Sequence, residues 1–236
     1  MDYEALADTL SMTEIVRLQD TLSRALVRRF ETHLALAFSD VCGSTAYCGR
    51  HGDEAGRQLL QRHVDRLESV LEGSGGRIVD TAGDGAFLCF PSATAATVAM
   101  TEVLKRISEA NVHRPREHQL AVRIGLHWGH VLSDGHLVVG DAVNLCSRIA
   151  ASAEPGQIRL SRELFQELDA HRRLQCRRLG MAALKGVGRE VELLGLEWRD
   201  QRVFPTLVHI RETGEEMRLP AQDIVSLGRL EVIEGM

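Results

Sequence analysis

The sequence has no surplus of positive charge. Its 236 residues contain 28 lysines and arginines against 33 aspartates and glutamates, which gives a net charge of -5. Proteins that bind nucleic acid neutralise phosphates with a broad basic surface. This charge balance therefore argues against a nucleic-acid partner, and an anionic ligand would need a local cluster of positive side chains.

Long hydrophobic runs are also missing. No segment approaches the roughly 20 apolar residues that span a bilayer. The opening sequence MDYEALADTL has no basic region followed by an apolar stretch, as a secretory signal would. We therefore expect a cytoplasmic chain without a membrane span.

Cysteine pairs with metal-binding or redox spacing are absent as well. The five cysteines form no CxxC motif and their number is odd, which favours reduced thiols in a cytosol. They are Cys42, Cys48, Cys89, Cys146 and Cys176. Internal repeats and low-complexity tracts are lacking too, so the chemistry must come from individual motifs.

The first motif is LALAFSDVCGST, residues 34–45. An apolar, strand-like run stops at Asp40, and a loop of small residues follows. Such a loop can present backbone N-H groups to phosphate oxygens. Its candidate substrate-binding residues are Val41, Cys42, Gly43, Ser44 and Thr45.

The second motif is GRIVDTAGDGAFLCF, residues 76–90, in which two short apolar runs flank Gly83-Asp84-Gly85. Glycines at these places favour a tight hairpin turn. Mg²⁺ prefers oxygen ligands and is usually held by one or two carboxylates together with substrate phosphates. Asp40 and Asp84 are therefore candidate metal ligands, although Asp-Gly is also a common turn dipeptide.

The third motif is GDAVNLCSRIAASAEPGQIRLS, residues 140–161, which predicts a helix, a turn and a strand. Asn144 and Arg148 are four residues apart and so share one helix face. An amide and a guanidinium on one face can converge on an oxyanion. The alternative is a polar pair on the exposed face of an amphipathic helix.

Together these motifs resemble the catalytic domain of the class III nucleotide cyclases, the adenylate and guanylate cyclase family, over residues 34–198. FSDVCGST resembles the first metal-binding segment, TAGDGAFLCF the second, RIGLHWGHV the central strand and GDAVNLCSRI the transition-state helix. LKGVGREVELLGL, residues 184–196, resembles the terminal hairpin. The order of five such segments is specific to the family.

The resemblance implies a reaction and an assembly. A nucleoside triphosphate is converted to its 3',5'-cyclic nucleotide and pyrophosphate, with two Mg²⁺ or Mn²⁺ ions per site. Two chains pair head to tail, so that Asp40 and Asp84 of one chain bind the metals. Asn144 and Arg148 of the other would act on the ribose and the α-phosphoryl group, and Lys185 would meet the terminal phosphates.

Base selection departs from the family pattern. Adenylate cyclases of the family usually have a lysine where this chain has Asp80, and an aspartate or threonine where it has Leu137. Guanylate cyclases place a glutamate at the position of Asp80. Leucine cannot hydrogen-bond a base edge, so these two positions do not select the base. ATP is the first expectation for the substrate because adenylate cyclases are common in the family, GTP is the second, and a pyrimidine triphosphate is a third.

One further departure concerns His130, which stands where mammalian relatives carry an arginine near the phosphates. A packed histidine at a strand end is the alternative.

The predicted fold is α/β (α+β), with a ferredoxin-like βαββαβ core. Strands are predicted at residues 34–40, 77–82, 86–90 and 120–126, and helices at 53–72, 92–109 and 141–153. We expect the two helices between the strands to cover one face of the sheet. The buried side of the first helix is predicted to consist of Leu59, Leu60, Val64, Leu67 and Leu71.

Two flanking segments complete the predicted domain organisation of 1–33, 34–198 and 199–236. Residues 1–33 have the apolar spacing of an amphipathic helix, which would either pack on its own domain or pair with its copy in a dimer. Residues 199–236 alternate apolar and polar residues as a short β appendage. VSLGRLEVIEG, residues 225–235, resembles the opening of a forkhead-associated (FHA) domain, whose completed form would imply a phosphothreonine partner.

Two competing functions remain. One is a regulatory module that binds nucleotide without turnover, although Asp40, Asp84, Asn144 and Arg148 are all present. The other is a diguanylate-cyclase type of nucleotidyl transferase, whose GG[DE]EF hairpin the sequence GDGAF does not match.

Overall fold

A computed structural model describes residues 3–199, 207–210 and 213–218. The helices are α1 Tyr3–Asp8, α2 Met12–Phe30, α3 Ser44–His51, α4 Asp53–Leu71, α5 Ala93–Val112, α6 Asp141–Ala151, α7 Arg162–Gln166 and α8 Ala170–Leu174. The strands are β1 Glu31–Val41, β2 Arg77–Ala82, β3 Gly85–Phe90, β4 Val122–Ser133, β5 Val138–Val139, β6 Ile158–Ser161, β7 Cys176–Ala183, β8 Glu190–Leu196, β9 Leu207–His209 and β10 Glu216–Arg218.

The main sheet has the strand order β2-β3-β1-β4-β6-β8-β7, and the short β5 pairs with β4. Its first four strands and the helices α4 and α5 form the predicted ferredoxin-like core, in which β1 lies between β3 and β4. Strand β1 is antiparallel to both neighbours, whereas β4 and β6 are parallel. The mixed α/β fold is therefore confirmed.

Helices α4 and α5 cover one face of this sheet, as predicted. The main hydrophobic core lies between them and the inward side chains of β1, β3 and β4, such as Ala35, Leu88 and Leu126. A smaller core on the other face includes Leu36 and Cys146, and α6 packs there. Alternate residues of β1 thus serve opposite faces, as the two-residue repeat of a strand requires.

The buried side of α4 differs in part from the prediction. Leu59 and Leu67 are buried, but Leu60, Val64 and Leu71 are only partly so. The remaining buried positions are Gly56, His63 and Val70. A buried histidine does not fit an apolar pattern, and for this reason hydrophobic spacing alone missed it.

The N-terminal segment forms two helices that are separated at Ser11. The Ser11 side chain and Glu14 make a reciprocal capping box that starts α2. No residue of α2 is buried, and its apolar side chains Ile15, Leu22 and Leu26 are 43%, 55% and 49% exposed. An apolar stripe is therefore left open along the helix.

The two-stranded sheet of β9 and β10 lies in the predicted β appendage, where β9 and β10 pair in antiparallel fashion. The FHA-like segment at residues 225–235 lies outside the described residues. No helix in the described part of the chain is long and apolar enough to cross a bilayer.

We expect Gly125→Ala to destabilise the domain. Gly125 of β4 lies against α6, and a Cβ atom there would be 2.2 Å from the backbone nitrogen of Ala150. Because backbone on both sides must move, we expect a loss of about 1–3 kcal/mol in the free energy of unfolding, measured by urea denaturation.

Gly49→Ala in α3 is the matched control, since no atom lies within 4 Å of the place that its new methyl group would occupy. It should leave stability unchanged or raise it by about 0.5–1 kcal/mol. Equal stability of the two variants would contradict the close approach of α6 to β4.

Candidate active site

Asp40 lies near the end of β1, where the antiparallel register places Arg123 of β4 directly opposite. One carboxylate oxygen, Oδ2, accepts hydrogen bonds from Nε of Arg123 at 2.7 Å and from Nη2 at 2.6 Å. The Asp40 side chain is 23% exposed. A half-buried carboxylate is thus held by a guanidinium from the neighbouring strand.

Asp84 occupies the predicted hairpin tip. Strands β2 and β3 are joined by the two residues Gly83 and Asp84, and Gly83 has a positive φ of 63°, which glycine adopts at low cost. The backbone N-H of Val41 donates to the Asp84 carbonyl at 3.1 Å. This hydrogen bond fixes the hairpin tip beside the end of β1.

The predicted phosphate loop is a short turn that leads into a helix. Gly43 has a φ of 74°, and α3 begins at Ser44. The Ser44 hydroxyl donates to Oδ2 of Asp84 at 2.5 Å, so the start of α3 is connected to the hairpin tip. The first N-H groups of a helix carry partial positive charge and suit anionic ligands.

These elements surround one open cavity of about 460 Å³. Its lining residues are Asp40, Val41, Cys42, Gly43, Ser44, Thr45, Ala46, Asp84, Arg123 and residues 151–155. The structure therefore brings together both predicted metal ligands and the whole predicted phosphate-binding loop.

The ionisation of Asp40 reflects these surroundings. Burial raises the pKa of Asp40, the hydrogen bond from Arg123 lowers it, and the nearby charge of Asp84 raises it again. Burial raises the pKa of the Cys42 thiol to about 11, so it is protonated at neutral pH. A thiol in this form is a weak nucleophile.

The donors fit a magnesium or manganese ion. Two carboxylates, Asp40 and Asp84, line the same cavity beside helix N-H groups. Within residues 3–199, 207–210 and 213–218, no group of three or more histidine, cysteine, aspartate or glutamate side chains could hold a metal. Zinc-type sites usually need more protein ligands, whereas Mg²⁺ accepts one or two carboxylates and takes its other oxygens from water and phosphate.

Five other predicted residues do not line this cavity. Asp80 lies exposed on β2, Leu137 is 60% exposed before β5, and Lys185 is exposed in the turn between β7 and β8. Asn144 and Arg148 lie on α6, and both are exposed. Within one chain, the predicted transition-state residues are thus kept apart from the predicted metal ligands.

Arg123 is a site residue that the sequence interpretation missed. The sequence feature that could have indicated it is an arginine inside the otherwise apolar strand VRIGLHWGHV. The antiparallel register that places this arginine opposite Asp40 cannot be read from one sequence. The histidine considered for a phosphate role, His130, lies at the other end of the β1–β4 pair. Its ring is 3.7 Å from that of His33, its Nδ1 is 3.5 Å from Glu31, and its side chain is 65% exposed, so it is not the packed histidine of the alternative.

His63 is a second missed residue, buried next to the site. It projects from α4, is 2% exposed, and its Nε2 lies 2.7 Å from the hydroxyl oxygen of Ser39, the residue before Asp40. Burial lowers the pKa of His63 to about 4, and the charge of Asp84 opposes this shift. The neutral imidazole therefore connects the end of β1 to α4 through this hydrogen bond.

Taken together, the fold and the cavity define a ferredoxin-like domain with two carboxylates beside the N-H groups of a helix start. The sequence profile of the "Adenylate and Guanylate cyclase catalytic domain" matches residues 28–195. The chain belongs to this family, as the motifs predicted.

Individual relatives agree with this assignment. A putative adenylate cyclase 3 from Rhizobium meliloti (strain 1021) is 24% identical over 159 residues, which are 67% of this chain and 27% of that protein. The adenylate/guanylate cyclase/hydrolase structure from Silicibacter pomeroyi has a TM-score of 0.64 at 24% identity and covers 71% of this chain and 97% of the other.

The non-canonical dimeric guanylyl cyclase domain of the RhoGC fusion protein from Blastocladiella emersonii has a TM-score of 0.59 at 20% identity, covering 70% of this chain and 97% of the other. These two structures show the shared fold. The chain spans only about a quarter of the length of the Rhizobium relative.

We expect the buried His63 to make stability depend on pH. The unfolded chain takes up a proton near pH 6.5, but the folded protein does so only near pH 4. Stability is therefore lost as the pH falls through this window. Between pH 7 and pH 4.5, the wild type should lose about 2–3 kcal/mol more than His63→Gln in urea denaturation.

The exposed His171 supplies the control, since His171→Gln should follow the wild type across this range. A His63→Gln protein with the same pH dependence as the wild type would contradict the burial of a neutral imidazole.

Proposed function

We propose that this domain is a nucleotide cyclase that converts ATP to 3',5'-cyclic AMP and pyrophosphate as a homodimer. The observation that carries the proposal is the convergence of Asp40, Asp84 and the residue 41–45 loop on one cavity, in a chain of the cyclase family. Two carboxylates beside helix N-H groups suit a metal-bound triphosphate.

Mg²⁺ or Mn²⁺ would be held by Asp40 and Asp84. Two such ions would lower the pKa of the ribose 3'-hydroxyl and neutralise the triphosphate. The N-H groups at the start of α3 would bind phosphate oxygens, and Arg123 would add positive charge at the same cavity. With the substrate in line, the 3'-oxygen attacks the α-phosphorus and pyrophosphate leaves.

A second copy of the chain would complete the site. Arg148 and Asn144 are exposed on α6 and do not line the cavity of Asp40 and Asp84. In a head-to-tail dimer, Arg148 of the partner would stabilise charge on the α-phosphoryl group and Asn144 would orient the ribose. Lys185, exposed in its turn, would meet the terminal phosphates from the same partner chain.

We propose ATP as the preferred substrate, with GTP as the alternative. Asp80 and Leu137, at the positions that contact the base in this family, are both exposed. Leu137 can give apolar contact only, whereas the Asp80 carboxylate can accept from the amino group of adenine, guanine or cytosine. The choice of ATP therefore depends on the adenylate cyclases among the relatives.

The first experiment measures product formation from ATP, GTP, CTP and UTP separately, with Mn²⁺ and with Mg²⁺. We expect one cyclic nucleotide, with ATP as the preferred substrate. Asp84→Ala removes a metal ligand and should lower the rate by about 1,000-fold.

Asp65→Ala is the matched control, because Asp65 is an exposed aspartate on α4 that lies outside the cavity. It should keep near wild-type turnover. No product from any nucleotide, at concentrations where the protein is dimeric, would favour the regulatory module instead.

Mixing two inactive variants tests the shared site. Asp84→Ala and Arg148→Ala each remove one half of the machinery, so each homodimer should be inactive. After random re-association, half of the dimers are mixed and each has one intact site of two, so about a quarter of wild-type activity should return. Activity measured against the mixing ratio checks this.

If both essential groups belonged to the same chain, mixing would restore nothing. A control mixture of Asp84→Ala with Asp40→Ala should also remain inactive, because both variants lack the same half.

A further inference from the structure

A second and larger cavity opens away from Asp40. It lies at the ends of β6, β7 and β8 and has a volume of about 920 Å³. None of its lining residues belongs to the cavity of Asp40 and Asp84. Four cations line it against a single acid, Glu197; the cations are Lys105, Arg159, Arg177 and Arg199.

Two of these arginines lie in one row across three strands. Arg159 of β6 is opposite Gly195 of β8, and Gly195 is opposite Arg177 of β7. Directly opposed residues point to the same face of a sheet, and two strand spacings put the Cα atoms of the arginines about 10 Å apart. Because the middle residue has no side chain, a notch lies between the two arginines, and the Leu179 side chain of β7 forms an apolar wall of it, 3.6 Å from the place that a Cβ atom of Gly195 would occupy.

Arg159 has an unmet hydrogen-bonding group. Its Nε is buried and has no hydrogen-bond partner among the described residues, while Nη2 donates to Gln157 at 3.3 Å. Burial lowers the pKa of Arg159, and the charge of Glu154 opposes this shift. A buried donor without a partner costs about 1–3 kcal/mol, so an acceptor in the notch that draws this N-H into a hydrogen bond would be stabilising.

Arg177 contributes an exposed guanidinium on the other side of the notch. Charged residues on an edge strand such as β7 often serve only to prevent strand pairing between molecules. That explanation suffices for Arg178, which lies opposite the core residue Leu194 and so on the other sheet face. It does not explain why Arg177 shares this notch with Arg159, which is half-buried and whose Nε is inaccessible.

We propose that the notch between Arg159 and Arg177 binds a phosphate-bearing anion, at a site separate from the nucleotide cavity. Guanidinium groups bind phosphate through paired, charge-assisted hydrogen bonds. The anion is either free, as pyrophosphate or inorganic phosphate, or a phosphate group carried by a nucleotide. This site stands independently of the proposed cyclase activity, since it uses none of the same residues.

The chain has two tryptophans, of which Trp198 reports on the second cavity rather than on the notch itself, because its ring packs into the main core together with Leu194. Trp198 lines the second cavity, and the guanidinium of Arg199 lies 4.5 Å from its ring. Trp128 is the other tryptophan and lies on β4 beside His33. In a Trp128→Phe background, Trp198 fluorescence reports on this cavity alone. We expect a saturable change on titration with pyrophosphate, and titrations with inorganic phosphate and with 5'-AMP distinguish free from nucleotide-borne phosphate.

Arg159→Met and Arg177→Met should each weaken pyrophosphate binding by about tenfold or more, because each removes a charge-assisted hydrogen bond. Arg178→Met removes the same charge from the opposite face of the same strand and should change binding by less than about twofold. Arg123→Met, in the nucleotide cavity, should leave the Trp198 response intact.

Equal weakening by Arg177→Met and Arg178→Met would mean general attraction of anions, and would overturn the proposal. So would a response that survives Arg159→Met. If Trp198 fluorescence does not change, pyrophosphate binding is measured by calorimetric titration of the Arg123→Met protein. Binding that is lost when Arg159→Met is added supports the notch. An absence of binding heat rejects it. Neither result depends on turnover, so a failed cyclase assay leaves the test valid.

Discussion

The pairing of β1 with a strand on each side is the constraint on which the rest of the structure depends. Its hydrogen bonds to β3 bring Gly85, and with it the hairpin tip of Asp84, beside Asp40. Its hydrogen bonds to β4 bring Arg123 opposite Asp40. A shift of one residue in either register would turn every side chain of that strand to the other face. The apolar alternation of β1, which serves a core on each face, prevents such a shift.

This pairing concentrates charge where the sheet ends. Two carboxylates and one guanidinium lie at the same cavity, and burial makes Asp40 and Arg123 sensitive to each other and to Asp84. Arg123 supplies part of the positive charge that Asp40 requires in its half-buried position. The neutral, buried His63 adds a hydrogen bond without adding charge, since its Nε2 pairs with the Ser39 hydroxyl and so connects β1 to α4. The end of β1 is thus held from a neighbouring strand and from a helix.

The exposed surfaces suggest how such domains associate. Helix α6 is buried on one side through Cys146 and Ile149, whereas Asn144 and Arg148 are exposed. Helix α2 has no buried residue. Both features suit a domain that meets a second copy, the arrangement we propose for the complete site. The notch of Arg159 and Arg177 uses none of these residues and lies at the other end of β7 from the Lys185 turn.

Local sequence determined much of this protein. Period-two and helical spacing predicted β1, the β2–β3 hairpin, α4, α5 and α6, because each depends on neighbours within a few residues. Glycines marked the tip at Asp84 for the same reason. Tertiary structure alone decided the contacts of Arg123, His63 and the Arg159–Gly195–Arg177 row. Their partners lie far away along the chain, and strand register and helix rotation follow from packing of the whole core, which no local pattern encodes.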